Sequence, residues 1–253
     1  MTEEHARREW IKADVWEEMR GETTDQQRGK PHPPLQQPYP DEAPLIDLPA
    51  PHARSLPPVS LFAAMRERQS RRKYSTDPLS IEELAFLLWA TQGVRRVMRG
   101  NRAVFRTVPS AGARHPFETY LVINRVDGVD PGLYRYLSLD HRLCFLYSAP
   151  DLAERAAEAC HHQSFVAQSA VTFVWAAIPY RTEWRYSRAA PKLIALDAGH
   201  VCQNLYLACE AIGAGACAIA AYHQEQLDAL LRVDGENEFA IYVAPVGKRP
   251  DAA

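Results

Sequence analysis

The longest regular pattern of apolar and polar positions in the chain lies in PKLIALDAGHVCQNLYLACEAIGAG, residues 191–215. At 100° per residue, Ile194, Ala198, Val201, Cys202, Leu205, Cys209 and Ile212 fall on one broad arc. Lys192, Asp197, His200, Gln203, Asn204 and Glu210 fall on the opposite arc. The spacing predicts a helix over 191–212. Pro191 suits its first turn, where a missing N–H costs nothing, and Gly213 and Gly215 end it. Ala195, Ala198, Gly199 and Cys202 are small enough for a second helix to approach closely.

The rest of the chain divides by the same criteria. Residues 1–20 predict a polar helix with Trp10, Ile11, Val15 and Trp16 on one side. Residues 21–44 are rich in Pro, Gln and Gly and predict an extended surface segment, anchored at its end by Leu45, Ile46 and Leu48. Residues 1–55 hold too few apolar side chains for a core of their own, so they are an N-terminal extension, and 56–253 form one domain. Ser60 is an N-cap for the helix that follows it. Ser80 and Glu83 form a capping box for a helix from Ile81 to about Thr91, ended by Gly93. Residues 94–106 carry five arginines and no acid and read as a mobile loop.

Residues 117–126 alternate and predict a strand. Residues 132–139 and 142–149 predict a hairpin turning at Asp140-His141. Asp151 and Glu154 cap a helix running to about His162. Residues 169–178 are nearly all apolar and predict a central strand, and 238–247 predict the last one. Between them, 223–233 form a short amphipathic helix before a turn at Asp234-Gly235. Strands and helices mix without a repeating βαβ order, which indicates an α+β fold.

Composition narrows the functional classes. With 253 residues, 47% of them apolar and 24% charged, and a net charge of −2, the chain is an ordinary globular protein and no polyanion binder. No apolar run approaches a membrane span and no signal peptide opens the chain. The five cysteines are odd in number and lack CxxC spacing, which argues against a disulfide framework and a zinc site and fits a reducing cytoplasm. Adjacent His161 and His162 cannot face one metal from a helix.

Three segments carry candidate chemistry. In RQSRRKY, residues 68–74, Arg68 and Arg72 would face one way on a helical turn, with the Ser70 hydroxyl between them as a phosphate clamp. In PSAGARHP, residues 109–116, two prolines bracket small residues and make a rigid loop with exposed backbone donors. Lys248 and Arg249 directly follow the last strand.

These segments, with PLSIEELAFLLWATQG, RTVPSAGARHPFETYLV, PGLYRY, LDAGHVCQNLYLACEAIGAGACAIAAY and PVGKR, resemble the FMN-dependent nitroreductase superfamily, and within it the SagB-type dehydrogenases. The resemblance spans roughly residues 60–249. It implies a nitroreductase-like α+β fold: a mixed or antiparallel central sheet flanked by helices, with the long helix at a homodimer interface. It also implies ping-pong hydride transfer through flavin N5, with NAD(P)H or the substrate as donor. The substrate would be a small electrophile or an azoline-like, peptide-derived metabolite. Arg68, Gln69, Ser70 and Arg72 would hold the FMN phosphate and ribityl chain, completed by Lys248 and Arg249. Pro109, Ser110, Ala111 and Gly112 would reach the ring from the partner subunit, and Ala220 and Ala221 would lie near N5.

One departure stands out. Azoline-oxidising members of the subgroup carry a Lys-Tyr pair where this chain has Arg185 and Tyr186. Arginine stays protonated and makes a poor base, so Tyr186 is the remaining candidate. Arg185 would either favour its phenolate or bind a substrate carboxylate. Two other readings stay open on sequence alone. One is a scaffold subunit of this fold without redox activity. The other is a nucleic-acid contact through Arg95–Arg106, which the acidic balance disfavours.

Overall fold

The computed structural model describes residues 8, 11–50 and 58–250. Its centre is a seven-stranded sheet built from β1 (Leu45–Asp47), β4 (Phe117–Ile123), β5 (Gly132–Leu137), β6 (Arg142–Tyr147), β7 (Val171–Ala177), β8 (Ala214–Ala216) and β9 (Phe239–Lys248). The spatial order is β1-β6-β5-β4-β7-β9-β8, and every pairing is antiparallel. Every residue of β4 and β7 is buried because both sheet faces are covered; β7 is a near-continuous apolar run, while β4 also takes Glu118 and Thr119 inside.

One face is covered by α3 (Ile81–Gln92) and the 22-residue α6 (Ala190–Ala211). Leu84, Leu88, Val201 and Leu205 pack there on Leu121, Phe173, Trp175 and Val246. The other face is covered by α4 (Leu152–Ala159) and α7 (Gln224–Leu231), whose Leu152, Ala156, Leu227 and Leu230 pack on Val122, Val174 and Val243. The apolar arc of α6 is fully used in this way, Ala198 included. Among the residues that α6 leaves to solvent are Ala195, Gly199 and Leu196, the last 53% exposed.

The expected caps of the first two domain helices form. Ser60 accepts from the Ala63 N–H ahead of α2 (Leu61–Glu67). Ser80 and Glu83 close a full capping box on α3, with Gly93 at its C-cap. Asp151 differs: it makes no side-chain cap bond, and α4 stops at Ala159, before His161 and His162, whose φ values of 56° and 57° cannot continue a helix.

Residues 94–106 also differ from expectation. They form a two-stranded ribbon of β2 (Val94–Val97) and β3 (Val104–Arg106) and not a loop. Val94, Val97, Val104 and Phe105 are strand formers, and Gly100 takes the positive φ of 74° that its turn needs. The count of arginines hid that pattern.

Residues 1–7 and 9–10 of the predicted first helix lie outside the described residues; within them, helix α1 is short, Val15–Glu18. Residues 21–44 are irregular but well tied down. Gln26 N–H donates to Trp184 O at 2.8 Å, Trp184 Nε1 to Lys30 O at 3.0 Å and Arg181 Nε to Pro34 O at 2.9 Å. Deeper in, the ion pair Arg181–Glu118 is 3% and 4% exposed, and Glu118 also accepts from the Gln37 N–H at 3.0 Å. Arg135 donates to the carbonyls of Gln37 and Pro38. A buried charge pair survives only with its remaining lone pairs and protons satisfied, and here the arm's backbone does part of that.

Candidate active site

The candidate residues fall into two groups, both organised by α6. The first lies along the edge strand β8. Helix α2 stops at Glu67, and Arg68 leaves it with φ −56°, ψ 122°. The following residues are extended, with a parallel bridge between Ser70 and Ala216 and the Arg71 N–H donating to Ala216 O at 2.8 Å. The helical turn expected for Arg68–Arg72 is therefore absent, because these backbone groups bond to β8. In extended chain, alternate side chains share a face. The Arg68 guanidinium lies 5.3 Å over the Tyr206 ring, and the Ser70 hydroxyl meets the Tyr206 hydroxyl at 3.0 Å. Arg72 lies over Phe165 at 5.8 Å.

Arg71 points elsewhere, to Glu210 at 3.8 Å, with its aliphatic stem over Gly215, where any side chain would collide with it. Glu210 also accepts from Arg249 at 3.0 Å. Glu210 and Asp197 were both placed on the polar arc of α6, yet they are only 7% and 3% exposed. Each is buried because it anchors a candidate segment. The cleft above Ser70, Arg72, Lys73 and Arg249 measures about 650 Å³. Among the described residues, Arg68, Arg72 and Lys73 have no ion-pair partner. Lys248 does not join them: its ammonium bonds Glu83 and the carbonyl of Ile212, where it also meets the C-terminal end of α6.

Tyr206 is the residue the sequence reading missed. Its hydroxyl accepts from the Ala218 N–H at 2.8 Å while contacting Ser70, so one phenol joins the arginine segment to the strand that leads to Ala220 and Ala221. Those two alanines are exposed. A tyrosine inside an apolar helical run looks like core, and only the partners of its hydroxyl say otherwise.

The second group surrounds Asp197. The Ser110 hydroxyl donates to Asp197 Oδ2 at 2.5 Å, and the Ala111 N–H to the same carboxylate at 3.2 Å. The His115 N–H donates to Ser110 Oγ at 2.9 Å, which closes the loop on itself. Burial raises the Asp197 pKa above the ordinary aspartate value, while the bonds from Ser110 and Ala111 oppose the rise. Gly112 has φ 58°, and a Cβ there would sit 2.6 Å from the Tyr186 hydroxyl and 2.9 Å from Arg185 Cδ. Only glycine fits on both counts. Arg185 and Tyr186 come from α5 (Tyr180–Tyr186), a helix not predicted, which starts at once after β7 and Pro179. The Arg185 guanidinium lies 5.5 Å from the Tyr186 ring centre, and Trp16 meets that ring edge-on at 5.9 Å.

Asp197 and Tyr206 are nine residues apart on one helix, which separates their two groups by ~14 Å along its axis. Within one chain, then, Arg185, Tyr186 and Pro109–Gly112 come together, as do Arg68, Ser70, Arg72 and Arg249, but the groups stay apart. Among the described residues, no His, Cys, Asp or Glu cluster is placed to hold a metal, and no helix is long and apolar enough to cross a membrane.

An antiparallel sheet between two helical layers, with an arginine segment on its edge strand and the long helix α6 packed beneath, defines an α+β architecture. The nitroreductase family pattern matches residues 65–248, and the chain belongs to that family. A protein of Methanocaldococcus jannaschii with a provisional nitroreductase name is 29% identical over 191 residues, 76% of this chain and 92% of that one. The trifolitoxin-processing protein TfxB of Rhizobium leguminosarum bv. trifolii is 29% identical over 116 residues, 43% of this chain and 30% of its own length. A crystal structure provisionally described as a nitroreductase, from Ralstonia eutropha JMP134, superposes with a TM-score of 0.67 at 27% identity, covering 88% of this chain and all of that one.

Proposed function

We propose that this chain is a cytoplasmic, FMN-dependent oxidoreductase of the SagB-type kind that works as a homodimer on a peptide-derived substrate. The observation that carries the cofactor is the cleft beside β8, where Arg72 and Lys73 stand, without acidic partners among the described residues, next to the Ser70 hydroxyl, and where Arg68 lies over the Tyr206 ring that meets Ser70. A dianionic phosphate suits that donor set, because guanidinium groups bind such oxygens with two parallel bonds. Arg68, Ser70, Arg72 and Arg249 would hold the phosphate and ribityl chain, with Gln69 alongside and Tyr206 fixing Ser70 and Arg68 from beneath. Lys248, engaged with Glu83, acts from outside the cleft by tying the end of β9 to α3 and α6. Bound FMN would supply two-electron exchange between a donor, NAD(P)H or the substrate itself, and an acceptor.

The Pro109–Gly112 loop and the Arg185–Tyr186 pair would serve the cleft of the second copy, with Ala220 and Ala221 bordering the ring. Large apolar side chains are already exposed on α2 and α6: Leu61 63%, Phe62 73%, Met65 58% and Leu196 53%. Exposed large apolar side chains on two helices are the surface that a second copy would cover. Tyr186 would take a proton from the substrate, and Arg185 would orient a carboxylate. The peptide-derived substrate class rests on the likeness to TfxB, whose name assigns it to toxin processing. The test is to purify the chain, release any cofactor by heat and weigh it, alongside light scattering of the wild type and Leu196→Glu. FMN and a dimer in the wild type, with monomer and lost flavin in the variant, are the expected results. Any other cofactor mass, or a flavin-loaded monomer, would overturn the reading.

A further inference from the structure

A cavity of about 1230 Å³, larger than the cleft beside β8, lies elsewhere on the chain. It lies between the N-terminal arm, the β2–β3 ribbon, the Pro109–Gly112 loop and the end of α5. Its charged lining is Lys30, Arg95, Arg102, Arg106, Arg114 and Arg185, and no carboxylate lines it. Among the described residues none of these five arginines forms an ion pair; only Lys30 does, with Asp25. Arg106 is 6% exposed, spends one guanidinium bond on Gln92, and keeps a buried Nε with no partner. Arg114 is equally buried, bonded only to the carbonyls of Gly112 and Arg102, with its guanidinium 5.2 Å over Trp184. Trp184 and Phe105 add aromatic wall.

We propose that this cavity binds an acidic peptide segment, several carboxylates spaced along one chain, and presents it to the Arg185–Tyr186 end. Gathering this many uncompensated cations around one cavity repels, and the fold tolerates that only if a ligand of opposite charge repays it. Burial and the neighbouring charge of Arg185 both depress the Arg114 pKa, and burial with Arg106 holds His115 down at about 2, so His115 offers no further cation. The arginines come from three separate segments and not one turn. That spread suits carboxylates along a flexible chain better than a single phosphate, and the volume exceeds the ~300–1,000 Å³ of ordinary small-molecule pockets. The reading depends on the peptide-derived substrate proposed above, but its binding test does not need the flavin.

The experiment is fluorescence anisotropy of the full chain with fluorescein-labelled hexaglutamate, and with hexaglutamine and an oligothymidylate as comparisons. Binding of hexaglutamate should weaken at least about tenfold between roughly 50 and 300 mM salt, as an interaction between exposed charges must. Arg95→Ala combined with Arg102→Ala, both on the exposed ribbon, should weaken it by about tenfold or more with an unchanged melting temperature. Hexaglutamine bound as tightly as hexaglutamate would overturn the proposal. So would tighter binding of the oligothymidylate, displacement of hexaglutamate by inorganic phosphate at equal concentration, or an unaffected double variant. A chain that carries FMN yet ignores hexaglutamate removes this inference and leaves the cofactor assignment standing. A chain that binds hexaglutamate but no FMN does the reverse.

Discussion

Ser110 on the Pro-bracketed loop and Asp197 on the central helix are 87 residues apart and share a hydrogen bond of 2.5 Å. With the Ala111 N–H on the same carboxylate, this contact sets where the loop stands relative to α6. Asp197→Ala would leave the half-buried Ser110 and Ala111 donors without their carboxylate, at a cost of about 1 kcal/mol or more. Urea denaturation should show that loss. Ser110→Ala should also cost about 1 kcal/mol or more: the carboxylate keeps its backbone partner, but the buried His115 N–H loses its acceptor. Equal stability of Asp197→Ala and wild type would mean the contact does not hold the loop.

Arg72→Ala should weaken FMN retention by about 1.5–3 kcal/mol, the range for a hydrogen bond to a charged group. Tyr206→Phe should weaken it too, by about 1 kcal/mol, because it frees both Ser70 and the Ala218 N–H. Equilibrium dialysis of FMN against the apoproteins reads both. Lys248→Ala is the contrast: it should lower the melting temperature more than it lowers FMN affinity.

Glu238 gives a pH signature in stability. It is half-buried and accepts from the Tyr120 hydroxyl at 2.8 Å. Burial, with the charge of Glu118 adding to it, lifts its pKa from 4.5 to about 7. A carboxyl whose folded pKa is raised favours the fold when protonated. That contribution is complete below pH 4.5 and is lost as pH rises to about 7. Glu238→Gln keeps an acceptor for Tyr120 and removes the titration. Its stability should exceed the wild type's at pH 8 by on the order of 2 kcal/mol, and the gap should close by pH 4. Denaturant midpoints across that range decide it, and parallel curves would refute it.

Tyr186→Phe should slow substrate-driven flavin reduction by roughly 10²–10⁴-fold if the phenol is the general base, with reoxidation unchanged. Arg185→Ala should mainly raise KM if the guanidinium anchors a carboxylate. Stopped-flow reduction at wild-type rate in Tyr186→Phe would take this residue out of the mechanism.

Five of the seven sheet strands, the α3 capping box and the span of α6 were legible because each depends on local patterning; the three-residue strands β1 and β8 are too short to carry a pattern of their own. Periodicity settled which face of α6 is apolar, but not that Asp197 and Glu210 would be drawn into the interior. Their burial is set by Ser110, Arg71 and Arg249, which reach them only once the chain is folded. The same holds for residues 68–72. Their arginine spacing fits a helical turn, and only the backbone of β8 makes them extended. The ribbon at 94–106 was hidden by its charge, although its valines and Phe105 carried the strand signal. Helix α5 was missed because its seven residues offer no clear apolar face and no side-chain cap.

The arm that crosses from Pro34 to Pro38 has an implication for how the chain folds. Its partners, Glu118, Arg135 and Arg181, lie 81 to 147 residues further along. During synthesis the arm emerges well before its partners and cannot make these contacts until β4, β5 and α5 all exist. Contacts of such long sequence separation carry the loop-closure entropy of everything between them, so they form late. A segment made early is therefore among the last to dock, and the large cationic cavity gains its outer wall only after the sheet beneath it is complete.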